Sequence, residues 1–173
     1  MRRGPRPIAW IAARPLAVLG AGLLAALAAA LALVLTGDER LQLMQLYYHV
    51  PIAVPFTAFV LDRINRWPSL DRWALLLDLE VVALALARMV IPLPWISGHA
   101  LFLTYAPLTT RCRVTQISAL VVMLQVMHVK WLLRDATLFG GVALGCIAAW
   151  ALTWIQRDRH SASHHLEKDP HDT

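Results

Sequence analysis

The sequence predicts an all-α, polytopic membrane protein, a bundle of six transmembrane helices with both termini on the cytoplasmic side. Three observations carry that expectation. Of 173 residues, 58% are hydrophobic and only 16% charged, with a mean hydropathy of +0.56, far too apolar for a soluble domain of this length. The apolar residues fall into six runs separated by prolines and charged clusters. The basic residues gather between those runs, as orientation signals do, so the formal charge of +5 reads as topology rather than as a nucleic-acid surface.

The chain divides into a basic cytoplasmic N-terminus over residues 1–15, a six-helix domain over 16–155 and a disordered cytoplasmic tail over 156–173. The first span, 16–36, is alanine-rich and longer than the apolar core of a signal peptide, so it is read as a retained helix. After a polar turn at Gly37, Asp38, Glu39 and Arg40 comes the second span, 41–61, with Tyr47, Tyr48 and His49 near its start and Pro51 and Pro55 expected to kink it. A polar connection, 62–72, leads to the third span, 73–91. That span contains Asp78, Glu80 and Arg88, charges that must face protein if they lie at membrane depth. Asp78 and Glu80 are too far along the helix to pair with Arg88, and are expected to bond polar groups on other spans or to face a cytoplasmic crevice.

The fourth span, 97–110, is short and begins at Ser97, a natural N-cap after Pro92 and Pro94. The fifth, 114–133, carries His128 and Lys130 near its end, followed by a turn at Arg134 and Asp135. The sixth, 136–155, holds Gly141 and Gly145 at the small-residue spacing that lets helices approach closely. On this plan the basic clusters within 2–14, 63–72, 111–113 and 157–168 share one side, and the other holds only Arg40, Lys130 and Arg134. The excess marks the cytoplasmic face of a cell (inner) membrane. Cys112 and Cys146, in a cytoplasmic turn and mid-helix, suggest neither a disulfide nor a metal knuckle.

One stretch, 92–106, looks built for chemistry. A helix start carries unpaired N–H groups and partial positive charge, so Ser97, Gly98 and His99 together offer anion-binding donors beside an imidazole that can move a proton. The same topology collects His49, Arg88, His128, Lys130, Arg134 and Asp135 at the outer depth. Each feature also has a plainer explanation: a capped turn for Ser97 and Gly98, a cation snorkelling at a helix end for Arg88, a solvated ion pair for Lys130, Arg134 and Asp135.

Ser97-Gly98-His99-Ala100 at the outer start of the fourth helix resembles the second signature motif, Pro-Ser-Gly-His, of the type 2 phosphatidic acid phosphatase superfamily, with Ile96 in place of the proline. Asp135 followed by Gly140, Gly141 and Gly145 is similar in position to that family's third motif, and Arg88 to the arginine that ends its first. The resemblance implies a phosphate pocket lined by Arg88, Ser97, Gly98, Lys130 and Arg134, with His99, His128 and Asp135 as catalytic residues and His99 protonating the leaving alcohol. The family's nucleophilic histidine, four residues before the aspartate, is Trp131 here; His128 lies a further turn away. The ligand implied is a membrane lipid or prenyl phosphate, with no metal and no other cofactor, and a homo-oligomer is an open arrangement. Two other readings stand beside the phosphatase: a non-catalytic protein that binds a lipid headgroup or a protein partner, and a metal or haem protein using His49, His99 and His128.

Overall fold

The computed structural model describes residues 14–36, 47, 50–66, 71–91 and 94–167, the side chains of 33, 36, 88–90 and 158–167 excepted. The expectations for Tyr48, His49, the turn at 37–40 and the basic residues 1–13 lie outside the described residues. Within them the fold is six helices: α1 (Pro15–Thr36), α2 (Ala53–Arg66) after a 3-10 turn (Val50–Ile52), α3 (Arg72–Val90), α4 (Gly98–Thr109), α5 (Arg113–Leu132) and α6 (Thr137–Glu167).

Among the described residues three helices are long and apolar enough to cross a membrane: Pro15–Ala32 of α1, Arg113–Leu132 of α5 and Thr137–Arg157 of α6. At 1.5 Å per residue each rises about 27–32 Å, the thickness of a bilayer's hydrocarbon. Their apolar side chains face outward in numbers that no soluble surface carries. Leu24 and Leu27 on α1, Leu120 and Leu124 on α5 and Ile147 on α6 are all more than half exposed.

The proline-containing second run differs from its expected limits. Pro51 sits in the 3-10 turn and Pro55 in the first turn of α2, where the missing N–H costs nothing. The helix then runs on to Arg66, taking in five residues expected in the connection. α6 likewise stays helical to Glu167, through most of the segment expected to be disordered. Residues 156–167 contain neither glycine nor proline, so nothing in the chain stops the helix there.

α4 is the centre of the molecule. Only 12 residues long, it rises about 18 Å, too little to span a bilayer, yet Ala100, Leu101, Phe102, Leu103, Tyr105 and Ala106 are all 2% exposed or less. α6, α5 and α3 pack around it, α2 packs on α5, and α1 lies against α2. Phe59 of α2 meets Phe102 edge-on at 5.6 Å between ring centres. Two consecutive pairs, by contrast, splay: among the described residues neither α2 and α3 nor α5 and α6 pack along their length. Each pair leaves a cleft beside α4.

α6 reaches α4 through glycine. A Cβ at Gly140 would stand 1.9 Å from the Trp95 carbonyl oxygen, and one at Gly141 2.5 Å from that of Ser97. Any side chain there would force the two segments apart, and a Cβ at Gly145 would stand 2.8 Å from the Leu101 carbonyl oxygen, so Gly141 and Gly145 pack as their spacing predicts.

Candidate functional site

Polar side chains gather at both ends of α4. At its start Ser97 is the N-cap, its hydroxyl accepting the Ala100 N–H at 3.4 Å. Ser97 also donates its own N–H to the Thr137 carbonyl at 3.0 Å, pinning α4 to the first residue of α6. Gly98 backs onto α3 so tightly that a Cβ would meet the Ala85 oxygen at 2.4 Å. Ser97 and Gly98 are both buried, so this turn is a packing joint between α3 and α6.

Beside the joint lie two cavities. One, of about 220 Å³, is lined by Ile52, Phe56, Val82, Ala85 and Phe102 together with Gly98 and half-buried His99. It occupies the cleft between α2 and α3, and the imidazole of His99 is its polar element. The other, of about 850 Å³, lies between the end of α5 and the start of α6. It is lined by His128, Lys130, Arg134 and Asp135, with Met127, Trp131, Leu138 and Phe139 as apolar walls.

The geometry of the larger cavity follows from how α5 ends. A continuous helix would hold His128 and Asp135 about 10 Å apart along its axis. Instead α5 stops at Leu132 and Arg134 adopts a left-handed backbone, φ 51°. The chain folds back, so that the Asp135 N–H donates to the Lys130 carbonyl at 2.9 Å. The Lys130 ammonium then pairs with the Asp135 carboxylate and donates to the Thr137 hydroxyl at 2.9 Å. The other Asp135 oxygen accepts the Thr137 N–H at 2.9 Å, capping α6. Partial burial pushes the Asp135 pKa up, but the hydrogen bonds from Lys130 and Thr137 outweigh it and hold the group at about 2.

The structure therefore brings His128, Lys130, Arg134 and Asp135 into one cavity and ties Ser97 to them through Thr137. Gly98 and His99 line the other cavity. Arg88 lies on the last turn of α3, with its side chain outside the described residues, as is His49. No group of three His, Cys, Asp or Glu side chains placed to hold a metal occurs among the described residues.

The cluster at the far end of α4 is the one sequence reasoning missed. Arg63 of α2 donates from Nη2 to Asp78 Oδ1 of α3 at 3.0 Å and from Nη1 to the Thr109 carbonyl at 3.1 Å. Its Nε stands 2.8 Å from Oδ2 as an ionic contact rather than an aligned hydrogen bond. Tyr105 of α4 donates to the same carboxylate at 2.6 Å, and the guanidinium lies 4.7 Å above the Phe59 ring. Arg63 is 6% exposed and Asp78 5%. The one signal available was Asp78 itself, a carboxylate in an apolar run that needs a partner on another span.

Compared with family models, curated proteins and solved structures, the chain matches none. The resemblance to lipid phosphatases rests on the short motifs around Ser97, Gly98, His99 and Asp135.

Proposed function

We propose that this chain is a multi-pass, six-helix protein of the cell (inner) membrane with both termini cytoplasmic, that binds the phosphate-bearing headgroup of a membrane lipid in the cavity between α5 and α6. One observation carries the reading: His128, Lys130, Arg134 and Asp135 line a single open cavity whose remaining walls include Trp131 and Phe139, 81% and 72% exposed. Cations and an imidazole beside bare aromatic rings suit a molecule with an anionic head and an apolar body. The volume, about 850 Å³, is that of an ordinary small-molecule site. The family resemblance supports phosphate as the charged group.

Hydrolysis is not part of the proposal. His99, the proton donor the resemblance implies, lines the cleft between α2 and α3, and the position expected to hold the nucleophile is Trp131. General acid catalysis needs the acid within hydrogen-bond reach of the leaving oxygen, and two cavities on different sides of α4 do not offer that.

The test is purified full-length protein in detergent, titrated with short-chain phosphatidic acid, phosphatidylglycerol, a polyprenyl phosphate and phosphatidylcholine, with phosphate release followed in parallel. Binding of the anionic lipids over phosphatidylcholine, weakened in His128→Ala and without phosphate release, is the expected result. Equal binding of all four overturns the headgroup reading. Phosphate release lost in His99→Ala restores the enzyme.

A further inference from the structure

We propose that the headgroup is read by Arg134 and that it is a phosphodiester carrying one negative charge; this rests on the reading above and names the ligand class of the same site.

α5 closes with a pair of hydrogen bonds, Asp135 N–H to the Lys130 carbonyl at 2.9 Å and Arg134 N–H to the Trp131 carbonyl at 3.1 Å. This closure puts the residue just past the helix in the left-handed region, where glycine is usual because a Cβ crowds its own carbonyl. Here that residue is Arg134, φ 51°, the one non-glycine residue with positive φ among those described. Nothing among the described residues compensates it. The side chain is exposed, and its guanidinium has no hydrogen-bond or ion-pair partner among the described residues. A strained backbone that carries an unpaired cation at a cavity wall points to a role outside the chain's own packing.

Charge selects the ligand class. Lys130 is matched by Asp135, which stays ionised throughout the physiological range with its pKa near 2. Among the groups lining the cavity, the charge then left without a counter-charge is the Arg134 guanidinium. Guanidinium offers paired N–H groups that fit two oxygens of one phosphate. A phosphodiester has two such non-bridging oxygens and one charge, so both geometry and charge are met. A monoester dianion would leave negative charge over against Met127, Leu138 and Phe139, where an uncompensated charge is costly.

The experiment compares full-length wild type with Arg134→Gly in detergent, measuring melting midpoint and affinity for short-chain phosphatidylglycerol, phosphatidic acid, phosphatidylcholine and inorganic phosphate. Wild type is expected to prefer phosphatidylglycerol to the other three. Arg134→Gly is expected to melt about 2–4 °C higher, as a relieved backbone would, and to bind phosphatidylglycerol at least about tenfold more weakly. A glycine variant that binds as wild type does, or melts no higher, overturns the role of Arg134 and leaves the proposed function standing. Tighter binding of phosphatidic acid overturns the single-charge ligand, and inorganic phosphate as tight as phosphatidylglycerol overturns a lipid as the source. Wild type that binds none of them sinks the proposed function and this inference together.

Discussion

Asp78 shows how far a single residue can be read. Its place in an apolar run demands a partner on another helix, and the structure supplies Arg63 and Tyr105, 15 and 27 positions away. Neither partner was legible. Arg63 reads as one more cytoplasmic charge, and Tyr105 as an interior aromatic, because pairings across helices leave no local spacing. The pair's energetics are testable. Removing one member of a buried ion pair strands the other, so Asp78→Ala should lose about 3–5 kcal/mol of stability. Arg63→Met with Asp78→Leu should recover most of that loss, since two apolar side chains leave no buried charge uncompensated. Unfolding of the three proteins in detergent decides it: a double variant as unstable as the single one would mean the ion pair itself is needed for the fold. Tyr105→Phe deletes one hydrogen bond to a charged group and should cost about 1.5–3 kcal/mol in the same measurement.

Helices and their ends were the most legible scale, because apolar runs, prolines and the Ser97 cap are local signals. What local signals could not give is which helix goes inside. α4 looks like any other short span, and its place at the centre follows from the glycines of α6 lying against residues 95–101. Gly140→Ala should therefore cost about 1–3 kcal/mol through overpacking against the Trp95 carbonyl. Gly20→Ala on α1, where a Cβ meets nothing within 4 Å, should gain about 0.5–1 kcal/mol of helix propensity. Equal effects at the two sites in thermal unfolding would contradict the close approach. The α5–α6 turn makes a pH prediction of its own. Asp135 is depressed from 3.8 to about 2 in the folded protein, so its stabilisation is fully present above about pH 4 and is lost as pH falls through about 2. Wild type should melt above Asp135→Asn at pH 6, and the gap should close on acidification. A gap that persists unchanged at pH 2 would exclude the ionised carboxylate as its cause.

At the scale of the whole molecule, two clefts flank a buried helix: an apolar one holding His99 and a charged one holding Arg134. The sequence collected both residues at one depth by topology alone, and topology cannot say on which side of α4 each falls. The proposed orientation makes a demand that two residues can test. Cys112 is the N-cap of α5 and Arg134 lies just beyond its other end, with a 20-residue helix between them that rises about 30 Å, the depth of the hydrocarbon. If α5 crosses with the basic side inward, the two positions face opposite compartments. Cys112 is half-buried and Arg134 exposed, so both admit a thiol reagent. With Cys146→Ser as background, a membrane-impermeant maleimide should label Cys112 in inverted vesicles and not in right-side-out ones. In a Cys112→Ser, Cys146→Ser, Arg134→Cys protein the pattern should reverse. Labelling of both positions from one side would mean that α5 does not cross, and with it would go the outward cavity in which a headgroup could meet Arg134.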